Sequence, residues 1–142
     1  MNDSLNSGLR FIDYNVNTIM FNTNKEFEDK PLNVKFNIDR FVEYLDDEDN
    51  TMLVTLDINI FENAEKNNFP FSLSVNVTGI FELENVHVDD RVSFAEVNAV
   101  AILFPYIRAL VSTFTANANV PPLILPPINV VSLIENQDNR VN

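Results

Sequence analysis

Two segments carry most of the structural information in this chain: NAVAILFPYIR at residues 98–108 and VPPLILPPIN at residues 120–129. The first has the composition of an apolar helix with a proline inside it. The second is an apolar loop that its prolines keep extended. A small soluble domain rarely places so much apolar surface in a region that cannot all be regular structure. The pattern therefore predicts a large oligomer interface, a groove for apolar ligands, or both.

Helical periodicity extends outward from these two segments. We predict that the long helix begins at a capping box formed by Ser93 and Glu96. Pro105 should kink this helix or begin a second one, and Asn129 should cap a short helix after the loop. A helix that is apolar on two sides is buried on two sides, which requires a partner subunit. The side chains predicted to form that oligomer interface are Leu103, Phe104, Ile107, Leu110, Val111 and Phe114.

The chain before the long helix has the pattern of β-strands. Apolar and polar residues alternate over residues 12–20, 34–39, 52–60 and 71–83, which is the period of half-buried strands. Polar clusters of the kind found in turns separate these segments. Clean alternation with short connections predicts an antiparallel sheet with one face in water. We predict one domain over residues 1–142, with a frayed polar tail from about residue 136.

Composition limits the partners and the compartment. Nine basic residues stand against 21 acidic ones, for a net charge of −12, so nucleic acid and anionic membranes are poor partners. The chain has no cysteine, and its first residues lack the pattern of a secretory signal. The longest uncharged apolar stretch, residues 97–107, is too short to span a bilayer. We predict a cytoplasmic protein without direct membrane insertion.

Residues that carry catalytic chemistry are missing. The single histidine, His87, follows the last strand without a nucleophile beside it, so an exposed strand-end residue is the better interpretation. The acidic run at residues 46–49 lacks the ligand spacing of a calcium loop, and two glycines cannot form a phosphate cradle. We predict that the protein is not an enzyme and binds no cofactor or metal.

These motifs resemble the SecB family of ATP-independent export chaperones. Residues 102–108, ILFPYIR, are similar to that family's NILFPYAR helix start, and residues 121–129 are similar to its proline loop. GIF at residues 79–81 resembles part of the family's last strand, and residues 34–39 resemble its second strand. The resemblance implies an α+β subunit, in which a four-stranded antiparallel sheet packs the long proline-interrupted helix and the short C-terminal helix on one face.

The resemblance also implies a function and an assembly. A SecB-like holdase is a homotetramer, a dimer of dimers, that binds unfolded or precursor polypeptides in apolar grooves and keeps them translocation-competent. Ile128 joins the groove residues from its place in the same apolar loop, and the remaining ones follow from the family's second strand and proline loop. The predicted groove residues are Val34, Phe36, Ile38, Leu123, Leu125 and Ile128.

Two alternatives stay open. The same apolar pattern would suit an oligomeric carrier of a small apolar ligand, or an adaptor or dedicated chaperone for a single partner such as an antitoxin. Family members linked to export carry carboxylates on the wet sheet face that dock the SecA motor, where this chain has Ser74 and Asn17. Docking to SecA is therefore left open, and each groove residue could instead be ordinary core packing.

Overall fold

A four-stranded antiparallel sheet forms one layer of the molecule and helices form the other. The computed structural model describes residues 8–141, and the side chains of residues 8–138. The strands lie in the order β1-β4-β3-β2, so β1 and β2 are the sheet edges. The elements are β1 (Gly8–Thr23), β2 (Phe36–Tyr44), β3 (Thr51–Ile60), α1 (Ala64–Asn67), β4 (Phe71–Glu84), α2 (Val97–Asn117) and α3 (Val130–Val141).

Alternation along the two central strands creates the core. The even-numbered residues of β3 and the odd-numbered residues of β4 from Phe71 to Leu83 are buried, and the residues between them are half-buried. The helix α2 lies across this buried face, against β1, β3 and β4, while α3 lies against β2. The predicted α+β fold is therefore confirmed, with both long helices on the same face of the sheet.

Gly79 allows α2 to approach the sheet closely. A Cβ atom at this position would lie 2.8 Å from the Phe81 ring and 3.2 Å from both terminal carbons of Leu103. Those distances are shorter than ordinary van der Waals contact, so a larger residue would force the Phe81 ring and the Leu103 side chain to shift. The glycine of the GIF motif thus has a packing role in this fold.

The start of the long helix differs from the predicted capping box. A turn of 3₁₀-helix at Val88–Asp90 precedes a π-helical turn at Arg91–Glu96 that leads directly into α2. The 3₁₀ turn is capped by His87, whose Nδ1 accepts a hydrogen bond of 3.1 Å from the Asp89 amide. Ser93 is already inside the helical segment, and Glu96 is turned into the protein interior. The capping-box prediction is wrong because buried polar partners compete for Glu96.

The C-terminal half shows one confirmed cap and one further correction. The Oδ1 atom of Asn129 accepts a hydrogen bond of 3.0 Å from the Ser132 amide, as expected of a helix cap. Pro105 lies inside α2 without ending it, and no second helix begins there. The helix α3 extends to Val141, and within it the buried Gln137 donates a hydrogen bond to the Ile38 carbonyl. The frayed tail from about residue 136 stays a prediction.

Candidate functional site

The six predicted groove residues all join one hydrophobic cluster, but they do so at different depths. Ile38 and Leu125 are buried in the core, where no ligand reaches them in this conformation. The other four pack against that core and stay half-buried, with Val34 preceding β2 instead of lying in it. The part of the predicted groove that remains accessible consists of Val34, Phe36, Leu123 and Ile128.

The start of β2 borders a small cleft of mixed character. A cavity of about 230 Å³ is lined by the aromatic rings of Phe36 and Phe69 and by polar side chains, namely Lys35, Asn37, Asn59 and Glu62. The ring of Phe69 packs 4.8 Å from that of the buried Phe61, so the cleft has an aromatic floor. The amide of Phe61 donates a hydrogen bond of 2.8 Å to the Lys35 carbonyl, which holds the two segments together.

The proline loop is held against α2 by hydrogen bonds from helix side chains. The hydroxyl of Ser112 donates to the Leu123 carbonyl (2.9 Å), and the Leu123 amide donates to Thr115 Oγ1 (2.8 Å). Arg108 Nε donates to the Leu125 carbonyl at 2.8 Å. The side chain between these leucines, Ile124, is 70% exposed and is the most exposed large apolar residue in the described chain.

Ile124 is a surface residue that the sequence prediction missed. The signal was present, because in an extended segment the side chains of Leu123 and Leu125 point one way and that of Ile124 the other way. Leucine and isoleucine are equally apolar, so the pattern did not say which set faces the core. The structure buries Leu125 and exposes Ile124.

A buried polar cluster joins β2, the π-helical turn that precedes α2, and α3. Arg40 donates to Glu96 Oε1 from Nε (3.1 Å) and Nη2 (2.8 Å), and Tyr44 donates to Glu96 Oε2 at 2.6 Å. Arg40 also donates to Gln137 Oε1 at 3.2 Å and to Asp138 Oδ1 at 3.3 Å. The ion pair has side-chain exposures of only 9% and 6%. The polar groups of the cluster are hydrogen-bonded to one another, so the cluster has a structural role and holds its segments together.

Tyr44 is kept neutral in this cluster. Burial and the hydrogen bond to the Glu96 carboxylate raise the pKa of the Tyr44 hydroxyl well above its usual range. The guanidinium carbon of Arg91 lies 4.4 Å from the centre of the Tyr44 ring, on its face. A phenol with a raised pKa is a poor base near neutral pH, so the chemistry here is hydrogen bonding and not proton abstraction.

The predicted interface residues lie on the side of α2 that faces its own sheet. Leu103, Phe104, Ile107 and Val111 are buried in the protomer's core, while Leu110 and Phe114 are half-buried. The ring of Phe114 packs 5.4 Å from that of Phe21 in β1. The interface prediction is revised because these side chains already have partners within the protomer. The opposite face of α2 exposes Ala101, Pro105, Tyr106, Ala109 and Thr113.

The exposed face of α2 continues onto the edge strand β1. The ring of Tyr106 lies 5.1 Å from that of Tyr14 and 5.3 Å from that of Phe11. Ile12 and Val16 on the same strand are each 41% exposed. By length and composition alone the segment Val88–Asn117 would also suit a membrane span, yet its other side is packed on the sheet. An apolar surface of this kind fits another protein chain.

Neutral polar side chains form a hydrogen-bonded network on the face of the sheet that carries no helix. Asn17 Nδ2 donates to Asn76 Oδ1 and Thr78 Oγ1, both at 2.8 Å, and Ser74 Oγ donates to Asn59 Oδ1 at 2.6 Å. These side chains bond to one another across the strands. Ser74 and Asn17 are thus parts of a hydrogen-bonded amide and hydroxyl network.

The described residues contain no group of acidic or histidine side chains arranged to hold a metal ion. The clefts between residues 8 and 138 are open to solvent, and they are lined by mixed polar and apolar side chains.

Comparisons with known proteins agree with this geometry. Residues 15–141 match the family described as preprotein translocase subunit SecB. The chain is 44% identical over 129 residues to an uncharacterized protein of Methanocaldococcus jannaschii, covering 90% of this chain and 83% of that protein. It is 31% identical over 103 residues to the protein-export protein SecB of Orientia tsutsugamushi, covering 61% of this chain. The match spans 64% of that SecB protein's length, which is less than two thirds.

Two solved structures share the fold at 16% sequence identity. One is a SecB-like chaperone of Mycobacterium tuberculosis in complex with a peptide from the HigA1 antitoxin, with a TM-score of 0.64 over 85% of this chain and 88% of that one. The other is a protein of unknown function from Streptococcus agalactiae, with a TM-score of 0.63 over 86% of this chain and 99% of that one. At this identity the likeness concerns the fold alone.

Proposed function

The chain belongs to the SecB family, and from this we propose that it is a chaperone that holds unfolded polypeptides without nucleotide. The family is non-enzymatic, which agrees with the prediction that this protein is not an enzyme. The observation that carries the proposal is the proline loop, which is fixed at its backbone and presents the apolar side chain of Ile124 to solvent.

The proposed client surface combines this loop with the aromatic cleft at the start of β2. Val34, Phe36, Leu123 and Ile128 are half-buried, so each offers part of an apolar side chain to a ligand. Binding by apolar area discriminates little between sequences, as a holdase requires. We propose that Ile38 and Leu125 support this surface from beneath, because both are buried.

The free energy that one apolar side chain can contribute to binding favours an oligomer for this function. Complete burial of one aliphatic side chain contributes about 1.5–3 kcal/mol, whereas micromolar binding needs about 8 kcal/mol. A client must therefore engage several such side chains, and several copies of the surface on one assembly would add avidity. We propose a homotetramer whose copies meet through the exposed face of α2 and the adjoining edge of β1.

We propose the cytoplasm as the compartment and unfolded or precursor chains as the clients. Delivery to SecA through the open sheet face is not part of the proposal. Asn76 donates a hydrogen bond of 3.1 Å to the carboxylate of Asp57, and Glu82 lies 3.5 Å from Arg10. Two acidic groups of this face are thus already engaged with their neighbours. A closed cavity would suit the carrier alternative, but the clefts among the described residues are open.

The test is capture of an unfolded protein by the whole chain. We expect the protein to bind fluorescently labelled, reduced and carboxymethylated α-lactalbumin and to suppress the aggregation of the reduced, unalkylated protein. Ile124→Ser should weaken the Kd by about tenfold, because a loss of about 1.4 kcal/mol of apolar burial corresponds to that factor. The binding is measured by fluorescence anisotropy, and the oligomer by light scattering.

The matched control is Val88→Ser, which removes an apolar side chain that is 65% exposed and precedes α2. It should leave the Kd unchanged. Equal losses in both variants would mean that capture is nonspecific adhesion to apolar surface. A wild-type chain that neither binds the probe nor suppresses the aggregation of the reduced, unalkylated protein would contradict the chaperone proposal itself.

A further inference from the structure

The hydrogen bonds between α2 and the proline loop form a regular pattern. Arg108, Ser112 and Thr115 are spaced i, i+4 and i+7, so their side chains lie on one face of the helix. Together they bind the N–H and C=O of Leu123 and the C=O of Leu125. Successive residues of an extended chain direct their backbone groups to opposite sides, and residues two apart direct them to the same side. The helix thus bonds to the loop much as a neighbouring strand would.

This pattern determines which side chains of the loop face outward. A shift of one residue in an extended segment exchanges its inner and outer side chains. Such a shift here would bury Ile124 and turn Leu123 and Leu125 outward. The observed arrangement buries Leu125 fully and Leu123 in part, whereas the shifted one would bury Ile124 in their place. Hydrophobic burial therefore also favours the observed register, and the hydrogen bonds from α2 add a second constraint in the same sense.

Thr115 and Pro122 together disfavour one of the two possible one-residue shifts of the loop. Thr115 is fully buried, and its hydroxyl already donates to the Val111 carbonyl at 2.8 Å, so its remaining capacity toward the loop is that of an acceptor. An acceptor needs an N–H group, which Pro122 does not have. Placing Pro122 opposite Thr115 would therefore leave a buried oxygen without its loop partner. Ser112 and Arg108 bind the carbonyls that complete the observed register.

We propose that Arg108, Ser112 and Thr115 are positioning residues that set the register of the proline loop and thereby present Ile124 to the client. The consequence for clients rests on the proposed chaperone function, while the register itself does not. The role differs from general stabilisation, because it predicts which of two adjacent side chains is exposed.

The absence of cysteine from the sequence allows a direct test. A single cysteine is introduced by Ile124→Cys or by Leu125→Cys, and each thiol is modified with a maleimide dye in the folded protein. In the wild-type background we expect position 124 to react about tenfold or more faster than position 125, because a buried thiol reacts only after local opening. In the Ser112→Ala/Thr115→Val background the two rates should approach each other to within about twofold.

Two controls separate register from folding. Thr113→Val alters an exposed threonine on the same helix and should leave the tenfold contrast intact. Thr115→Ser, made with Ser112 intact, keeps the hydroxyl and should also leave the contrast intact. If the double variant does not fold by circular dichroism, Ser112→Ala alone is used, since that serine is only half-buried, and it should still reduce the contrast several-fold.

The outcomes distinguish the two proposals. A labelling contrast that survives Ser112→Ala and the double variant would overturn the positioning role and assign the register to leucine burial. A lost contrast that is accompanied by a weaker Kd for carboxymethylated α-lactalbumin supports both proposals. A lost contrast with an unchanged Kd would support the positioning role and remove the loop from the proposed client surface.

Discussion

Single residues in this protein show how tertiary partners override local signals. Glu96 follows Ser93 at the spacing of a capping box, yet its carboxylate lies inside the protein and is bound by Arg40 and Tyr44. A capping interaction is worth about 1 kcal/mol. Breaking the buried ion pair between Glu96 and Arg40 would cost about 3–5 kcal/mol. The buried ion pair is therefore favoured over the capping box, and the helical segment begins earlier in the chain, directly after His87.

The raised pKa of Tyr44 makes a prediction at alkaline pH. The hydroxyl has an ordinary value of 10.0, and burial beside Glu96 raises the pKa in the folded state. A raised folded-state pKa contributes stability that is complete below the unfolded value and is lost as the pH rises toward the folded value. The free energy of unfolding of the wild type should therefore fall above about pH 10 relative to that of Tyr44→Phe.

Urea unfolding of both proteins at pH 7, 9, 10 and 11 measures this difference. At pH 7 the wild type should be the more stable by about 1 kcal/mol, the contribution of one hydrogen bond. Parallel stability curves from pH 9 to pH 11 would show that Tyr44 ionises equally easily in both states and would contradict the role of the cluster.

At the scale of elements, the two long helices are stabilised in different ways. The helix α2 is held by apolar contacts with three strands, and its first turns are irregular. The helix α3 depends more on polar contacts, with a cap from Asn129 and a buried amide at Gln137. Loss of a single polar contact should therefore affect α3 measurably.

Asn129→Ala tests the cap of α3. The substitution removes the side-chain acceptor of the Ser132 amide and should cost about 1 kcal/mol of unfolding free energy. The control is Asn136→Ala, at an exposed position inside the same helix, which should be neutral or slightly stabilising because alanine favours helix. Equal effects of the two substitutions in urea unfolding would mean that Asn129 does not act as a cap.

The strands were predictable where burial alternates without interruption. The segments at residues 52–60 and 71–83 became β3 and β4 within one residue at each end. The second strand was harder to delimit, because it starts at Phe36 instead of Val34 and continues to Tyr44. Its inner face carries Arg40 and Tyr44, which are polar in sequence although they face the core, so the pattern of alternation was lost there.

At the scale of the whole molecule, one side of α2 packs on the sheet and the other side is exposed in the protomer. The core side holds the large aliphatic residues, while the open side holds alanines and Tyr106. Small residues let two helices approach closely, and Tyr14 and Tyr106 form a partly exposed aromatic pair beside them. We propose that copies of the chain contact one another on this face.

Ala109→Arg tests that assembly. A long charged side chain at an exposed small position should prevent close packing of helices, and multi-angle light scattering should show a mass well below that of the wild type. Asn136→Arg, which adds the same charge at an exposed position of α3, should leave the mass unchanged. A wild-type monomer of 16.2 kDa would contradict the proposed assembly.

The sequence by itself determined the class of fold, the order of strands and helices, and the resemblance to the SecB family. Alternation, helical period and short motifs are local properties, so they can be recognised directly in the sequence. The tertiary structure alone decided which apolar side chains are core and which are surface. Leu125 and Ile124 are adjacent and equally apolar, and only the folded chain, in which side chains of α2 bind the loop backbone, buries one and exposes the other. Likewise, only the packing of α2 on the sheet decides which of its side chains are buried, because the sheet covers those that face it.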